Sequence, residues 1–175
     1  MAFQIGEGAT PPRILHAGCG GAPLPDWMPG IETRLDIDPN MRPDIVASIT
    51  DVGDIGPFEA VLCSHCVEHL HPREVHTALS EFHRVLRSGG VAIIIVPDLE
   101  GILPTDDVVY ESPSGPVTGH DMYYGHKSCV ENVFMQHHSG FIAPRLQKAC
   151  EDAGFANVAT IRDSGHNLIA VAVKA

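Results

Sequence analysis

A short apolar run that ends in a glycine turn is the feature that most constrains what this chain can fold into. The run covers residues 14–17 and the turn covers residues 18–21. Glycine tolerates positive φ and carries no side chain, so a ligand can approach the backbone of such a turn. A Rossmann dinucleotide-binding turn also begins this way, but it has a third glycine and leads into a helix whose N-terminus binds a pyrophosphate. Here the repeated prolines of residues 22–30 prevent a regular helix, so we expect a nucleoside ligand that lacks phosphates.

An acidic residue ends the next apolar segment. Asp36 lies roughly 20 positions after the glycines, where ribose-binding folds place a carboxylate for the sugar hydroxyls. Three further segments follow in order, at residues 58–70, 81–90 and 93–99. The ordered set covers most of residues 13–99 and resembles the class I S-adenosylmethionine-dependent methyltransferases, in particular the small predicted methyltransferases of the type 11-like group.

The resemblance implies an α/β fold, a three-layer sandwich around a Rossmann-like, mostly parallel seven-stranded sheet that ends in an antiparallel C-terminal strand pair. The sequence pattern agrees with it, because short apolar strands alternate with helical or irregular connections, as in a parallel sheet. One helix is predicted from Pro72 to the glycines at 89–90, and another from Pro144 to Ala153. Strands are predicted at residues 13–17, 33–37, 45–49, 60–63, 91–96, 158–161 and 168–173.

A long polar segment interrupts this pattern. Residues 100–127 contain prolines, glycines and polar residues without a period, and their tyrosines and histidines favour a functional lid over disorder. Ser128 and Glu131 have the spacing of a capping box, which predicts a helix there. We therefore interpret residues 1–175 as one methyltransferase-like domain with a substrate lid at residues 100–143. The predicted lid helix would run through Val130, Val133, Phe134 and His137.

The resemblance also implies S-adenosylmethionine as the cofactor, with S-adenosylhomocysteine as its product. The glycine turn would lie against the methionine part, and Asp36 would accept hydrogen bonds from both ribose hydroxyls. Asp51 would accept a hydrogen bond from the adenine amine while Ile49 covers the ring, but a second alignment puts Ser48 in the position of the acid. The expected cofactor-binding residues are His16, Gly18, Cys19, Gly20, Asp36, Ile37, Ile49, Asp51, Ser64 and His65.

His16 departs from the family pattern. The family commonly has an acid two residues before the first glycine, where it helps to hold the cofactor ammonium. A neutral histidine accepts a hydrogen bond but does not supply the same charge. An alternative function therefore stays open, a catalytically silent cofactor-binding or regulatory module with the methyltransferase fold.

Catalysis would depend mainly on positioning. Methyl transfer from a sulfonium is an in-line displacement, and a general base is needed only when the nucleophile is protonated. Histidine has a suitable pKa for that base, and we expect His126 and His138 to be the catalytic candidates because their segments should border the substrate opening. The aromatic candidates to line the acceptor pocket are Tyr110, Tyr123 and Tyr124.

The composition excludes several classes of partner. Asp and Glu total 22 against 11 Lys and Arg, so the net charge of −11 would repel nucleic acid. Residues 1–8 lack the pattern of a signal peptide, and no segment approaches the ~20 apolar residues that span a bilayer, so we expect a cytoplasmic protein without membrane contact. The five cysteines are irregularly spaced and suit free thiols in a reducing compartment.

Two other chemistries are less favoured. The cysteines and histidines of residues 63–71 could be zinc ligands, but Cys63 falls in an apolar strand with Cys66 close behind it, so the side chains would point in different directions and we expect no metal. The proline-rich segment disfavours a nicotinamide-dependent oxidoreductase. We expect methyl transfer to a small-molecule or metabolite acceptor. Because little chain precedes the first strand, we also expect a homo-oligomer or a partner to cover the site.

Overall fold

The computed structural model describes residues 10–129 and 131–175, which form nine strands and three α-helices. Short 3-10 turns connect some of these elements. The strands are β1 (Arg13–Ala17), β2 (Ile31–Asp36), β3 (Ile45–Val46), β4 (Phe58–Ser64), β5 (Leu86–Pro97), β6 (Val108–Ser112), β7 (Gly115–Thr118), β8 (Asn157–Arg162) and β9 (Asn167–Val173). The helices are α1 (Pro72–Val85), α2 (Gly119–Tyr124) and α3 (Ala143–Asp152).

Seven of the strands form one sheet in the order β3-β2-β1-β4-β5-β9-β8. Strands β1 to β5 pair in parallel, whereas β9 is antiparallel to both β5 and β8. The predicted mostly parallel seven-stranded sheet with an antiparallel C-terminal pair is therefore confirmed. The strand order reverses between β1 and β4, and open α/β sheets bind ligands outside the carboxyl ends of the strands at such a point.

One face of the sheet packs against α1 and α3. Leu79 and Phe82 lie on the same side of α1 and are fully buried. They belong to one core cluster with Leu15 of β1, Ile94 of β5 and Leu146 of α3. The apolar residues of α1 recur at helical spacing and therefore share one side of the helix, and this side packs on the sheet.

The opposite face is covered by an irregular segment. Ile14 of β1 and Leu62 of β4 are buried there together with Met28, which belongs to the proline-rich loop of residues 19–30. In the described part of the chain this loop supplies the third layer over β1 and β4. Farther along the face, Ile169 of β9 is only half-buried.

The boundaries of some elements differ from the predicted ones. Helix α1 ends at Val85 rather than at the glycines, because Leu86 is already extended and begins β5. The glycines at 89–90 lie inside that strand, and β3 has only two residues. Within residues 10–129 and 131–175, no helix is both long and apolar enough to cross a membrane.

The lid region contains a hairpin of β6 and β7 followed by α2. The α-helix predicted after Ser128 is wrong for the described residues, which instead form 3-10 turns at Lys127–Cys129 and Val133–Met135. The Ser128 hydroxyl lies 2.7 Å from Nδ1 of His126 and is thereby engaged within its own turn. The second turn is capped by Asn132 instead, which accepts a hydrogen bond from the amide of Phe134. Val130 lies outside the described residues.

Candidate functional site

A cavity of about 580 Å³ opens at the carboxyl ends of β1, β2 and β4, and we call it the glycine crevice. It lies at the reversal of strand order, where the glycine turn follows β1. Its lining includes eight predicted cofactor residues and Ser48, the alternative to Asp51. The predicted residues that line it are Gly18, Cys19, Gly20, Asp36, Ile37, Ile49, Ser64 and His65, with His138 from the lid region.

The glycine turn is held in a conformation that requires glycine at its first position. Gly18 has φ of +67°, and a Cβ there would lie 2.3 Å from Sγ of Cys66. The amides of Gly18 and Cys19 both donate to the carbonyl oxygen of Leu35, at 2.8 and 3.1 Å. The turn is therefore fastened to the end of β2 and packed closely against the segment that follows β4.

Asp36 joins the two strands at the floor of the crevice. Its Oδ2 accepts a hydrogen bond from the amide of Gly20 at 2.8 Å, and its Oδ1 accepts one from the amide of Asp38 at 2.9 Å. The residue is 9% exposed. Each carboxylate oxygen has two lone pairs, so each can accept one further hydrogen bond from a ligand.

A polar network fixes the glycine turn from the side away from the crevice. Nδ1 of His16 lies 2.7 Å from Oε1 of Glu32, and Arg34 lies beside the same carboxylate. Arg34 also donates to the carbonyl oxygens of Gly20 and Ala22, each at 2.7 Å. His16 is buried in this network and does not line the crevice. Its role in binding the cofactor stays a prediction.

The segment after β3 forms one wall of the crevice and contains Ser48 and Asp51, the two candidates to bind the adenine amine. Ile49 is buried and lines the crevice together with Ser48 and the half-exposed Ile37. Asp51 is exposed and lies outside the lining, where its carboxylate is 3.4 Å from the amide of Gly53. The expected role of Asp51 is therefore not supported by its position, because its side chain is turned into a local turn.

The lid region supplies the facing wall of the crevice. Val133, Phe134 and Met135 line it and are all substantially exposed. His138 lines it too, with its ring stacked on that of His71 at 4.2 Å between centroids. Apolar side chains that remain exposed along a crevice are suited to be covered by a bound ligand.

A second cavity of about 260 Å³ adjoins the first, and we call it the histidine cavity. The two cavities share His65, His69 and Met135 in their linings. Further polar residues surround the histidine cavity, and several of them were not predicted. Its lining includes Glu68, Tyr110, Asp121, His126, His137 and His166.

Glu68 and His65 lie where the two cavities meet. His65 has φ of +50°, an uncommon conformation for a residue other than glycine, and its Nδ1 is 3.4 Å from Oε1 of Glu68. Burial lowers the pKa of His65, but the interaction with the nearby carboxylate of Glu68 outweighs this effect, with help from Asn167 and Asp163, and leaves the pKa raised. Glu68 itself is 1% exposed, and neither of its carboxylate oxygens has a hydrogen-bond partner among the described residues.

The hydrogen bonds of the other histidines indicate which ring nitrogen carries the proton. Nδ1 of His69 lies 3.1 Å from the carbonyl oxygen of Gln136, and Nδ1 of His137 lies 3.0 Å from that of Met122. A carbonyl only accepts, so each Nδ1 is protonated and each neutral ring keeps a lone pair on Nε2. Burial lowers the pKa of His137, which favours its neutral form.

His126 has the opposite arrangement. Its Nδ1 accepts a hydrogen bond from the amide of Ser128 at 3.2 Å, so the proton of the neutral ring is on Nε2. That nitrogen is buried and has no partner within the part of the chain that the structure describes. In this state Nε2 of His126 can donate a hydrogen bond to a ligand, and the role of His126 as a general base stays a prediction.

The structure places the two predicted catalytic histidines in different cavities. His126 lines the histidine cavity, whereas His138 lines the glycine crevice. Of the three tyrosines, Tyr110 lines the histidine cavity, while Tyr123 and Tyr124 line a separate surface pocket.

Four residues hold the site together but had no such role in the predictions from sequence: Arg34 and Glu68 were assigned no role, Cys66 appeared only in a possible zinc cluster, and His137 appeared only in a predicted lid helix. Arg34 and Cys66 fix the glycine turn, and Glu68 and His137 face the histidine cavity. Glu68 gave one usable signal, since it is an acid in the short turn that follows the apolar strand β4. The other three act through partners distant in sequence, which no local pattern reveals.

The part of the chain that forms the floor of the glycine crevice matches a known family. Residues 15–94 match the family model described as a methyltransferase domain. This range includes the glycine turn, Asp36 and Glu68. No curated protein sequence matches the chain.

Solved structures have the same fold. A 1,6-didemethyltoxoflavin-N1-methyltransferase from Burkholderia thailandensis, whose crystal structure contains 1,6-didemethyltoxoflavin and S-adenosylhomocysteine, has a TM-score of 0.60 and 17% identity over 94% of this chain and 72% of that chain. An O-methyltransferase family protein from the same organism has a TM-score of 0.64 and 15% identity over 98% of this chain and 53% of that one, so the present chain spans about half its length. A protein from Pyrococcus horikoshii has a TM-score of 0.63 and 14% identity over 95% and 83% of the two chains. At these identities the likeness establishes the fold.

Proposed function

We propose that the chain is a class I S-adenosylmethionine-dependent methyltransferase that transfers the methyl group of S-adenosylmethionine to a small-molecule acceptor, because residues 15–94 match the model of a methyltransferase domain. One observation carries the proposal: the glycine crevice and the histidine cavity share His65, His69 and Met135. A donor bound in the crevice would face an acceptor bound in the cavity. Holding two reactants in contact is the main requirement of an in-line displacement.

The residues of the crevice fit the cofactor. Its volume of about 580 Å³ lies within the range of roughly 300–1,000 Å³ that is usual for small-ligand sites. Gly18 leaves the backbone of the turn open, and Asp36 has a free lone pair on each oxygen for the two ribose hydroxyls. Ile49 offers an apolar wall for the adenine ring. When bound, S-adenosylmethionine supplies an electrophilic methyl group on a sulfonium.

A small acceptor suits the second cavity. The histidine cavity has a volume of about 260 Å³. The hairpin of β6 and β7 closes one side of it through the side chains of Tyr110 and Val117. The crystal structure of the Burkholderia N1-methyltransferase of the same fold contains bound 1,6-didemethyltoxoflavin, which supports a small-molecule acceptor here. We propose that the buried Nε2 of His126 donates a hydrogen bond to that acceptor.

Calorimetric titration tests the proposal most directly. The protein should bind S-adenosylmethionine and S-adenosylhomocysteine but not NAD, and it should then methylate members of a panel of small heterocyclic and phenolic acceptors. Binding without any transfer would favour the silent module instead. If neither sulfur nucleoside binds, the proposed function is wrong.

The roles of His126 and His138 are tested on an acceptor found in that panel. We expect replacement of both by Ala to lower turnover, because one histidine faces each cavity. Unchanged turnover would remove both residues from the catalytic machinery.

The expected homo-oligomer or covering partner and the cytoplasmic location stay predictions. Light scattering on the purified protein, combined with an activity assay, tests the first of them. A monomer that is fully active alone would contradict it.

A further inference from the structure

We propose that Glu68, His69 and His137 form a binding site for one divalent transition-metal ion in the wall of the histidine cavity. Each side chain offers one ligand atom, and these atoms all lie within 4.8 Å of one another. Two imidazole nitrogens and one carboxylate oxygen are a donor set that Zn²⁺ and its neighbours in the first transition row accept. The set differs from the cysteine-containing cluster of residues 63–71, since it includes a residue from the lid region and no thiol.

The carboxylate of Glu68 is the first reason to expect a cation. It is buried, and neither oxygen accepts a hydrogen bond from any described residue. The nearest basic group, Nδ1 of His65, is 3.4 Å from Oε1, which is long for a charge-assisted hydrogen bond, and the side chain of His65 is 48% exposed. A buried carboxylate is costly unless it is paired or coordinates a metal. The other titratable groups near it in the described part of the chain are the buried thiol of Cys63 and the two imidazoles of the proposed site.

The orientation of the two imidazoles is the second reason. Both rings donate Nδ1–H to a backbone carbonyl, His69 to that of Gln136 and His137 to that of Met122. Histidines that bind metals usually donate their other ring N–H in this way, because it fixes the ring and leaves the ligating nitrogen unprotonated. The two Nε2 atoms thus have a lone pair before any metal binds.

Small movements of the three side chains would complete the site. Bonds of about 2.0–2.2 Å in a tetrahedron place ligand atoms roughly 3.3–3.6 Å apart, so the present arrangement has to contract by about 1 Å. Three protein ligands leave a fourth position for a solvent molecule or a ligand in the histidine cavity. If the proposed methyl transfer holds, this position would take an oxygen or nitrogen atom of the acceptor, next to the wall shared with the crevice.

Titration of the full chain with Zn²⁺ after treatment with a chelator tests the site without any cofactor. The wild-type protein should bind one equivalent. The affinity for Zn²⁺ should fall by more than about 100-fold in each of the variants Glu68→Gln, His69→Ala and His137→Ala. Loss of a residue that only supports a metal ligand typically costs about 10–100-fold, so a larger loss indicates direct coordination. His76→Ala is the matched control, because His76 is an exposed histidine on α1 and its loss should leave the affinity unchanged.

Cobalt provides a readout that needs no variant. Co²⁺ added to the wild-type chain should give the intense visible absorption of a four-coordinate site, and Zn²⁺ should displace it. Absence of stoichiometric binding to the wild-type protein overturns the proposal. Zinc affinity retained in folded Glu68→Gln, or lost equally in His76→Ala, overturns it as well. Because none of these measurements involves S-adenosylmethionine, failure here is distinct from failure of the proposed function.

Discussion

Asp36 and Glu68 are both buried carboxylates near the carboxyl ends of parallel strands, yet their surroundings are opposite. Both oxygens of Asp36 accept hydrogen bonds from backbone amides, of Gly20 and Asp38. Neither oxygen of Glu68 has such a partner within the described ranges of the chain. The difference indicates that Asp36 is part of the folded loop and offers spare lone pairs to a ligand, whereas Glu68 depends on a partner that the neighbouring backbone does not supply.

The largest effect is expected from Asp36→Ala, because it removes both the proposed ribose contacts and the support of the glycine turn. Hydrogen bonds to a charged group contribute about 1.5–3 kcal/mol each, so two of them predict a loss of S-adenosylmethionine affinity of about 1,000-fold. Calorimetry measures it. The control is Asp51→Asn, which alters an exposed carboxylate outside the crevice and should change affinity by less than about twofold. A similar loss in both variants would return Asp51 to the cofactor site.

The next largest effect is expected from Gly18→Ala. The new Cβ would meet Sγ of Cys66, and alanine would have to keep a φ of +67°. Strain of this kind, together with the displaced side chain, should lower the free energy of unfolding by about 2–3 kcal/mol. Urea denaturation is the measurement.

Gly21→Ala is the matched control for that variant. No described atom lies within 4 Å of the position of its Cβ, and its φ is not in the left-handed region. We expect its stability to remain within about 0.5 kcal/mol of the wild type, as for most surface substitutions. Equal destabilisation of both variants would show that the close approach of Cys66 is not what requires glycine.

A pair of isosteric substitutions tests the difference between the hydrogen-bonded carboxylate of Asp36 and the carboxylate of Glu68, which accepts no hydrogen bond from the part of the chain that the structure describes. In the metal-free protein, Asp36→Asn should lower the free energy of unfolding by about 1–2 kcal/mol, because one backbone amide then faces an NH₂ group. Glu68→Gln should raise it by about 1 kcal/mol, since a buried charge without a hydrogen-bond partner becomes neutral. The measurement is urea denaturation in a chelating buffer, repeated at increasing alkaline pH until the difference between variant and wild type stops changing, because the pKa of His65 is raised by Glu68. Destabilisation by Glu68→Gln under these conditions would mean that the carboxylate already has a partner.

The same contrast explains what could be predicted from the sequence. The glycine turn and Asp36 follow their strands directly, so a local pattern located them, and the pairing of β1 with β2 then brought them together. The partners of Glu68 could not be located in this way. His137 belongs to a segment whose predicted helix did not form, and it reaches the cavity only because the lid region folds back over the end of β4.

His16 and Asp51 show a second limit of local patterns. Both were chosen by counting positions along the chain, but the direction of a side chain depends on its neighbours. His16 points to the face where Glu32 of the adjacent strand is available, and Asp51 turns back to its own loop. A family pattern therefore located the strand ends correctly without establishing which side chains face the crevice.

The smallest effect is expected from Phe134→Ala, in the exposed lid wall of the crevice. Phe134 is 51% exposed in the free protein, so a bound nucleoside can cover only part of its ring. Burying roughly 40 Å² of apolar surface contributes about 1 kcal/mol. The loss of this contribution predicts an affinity for S-adenosylmethionine that is about fivefold weaker. The control is Leu103→Ala, another exposed apolar residue of the lid region that lies outside the crevice lining. Equal affinities of the two variants would indicate that the lid wall does not close on the ligand, and that the buried floor around Asp36 supplies the binding energy alone.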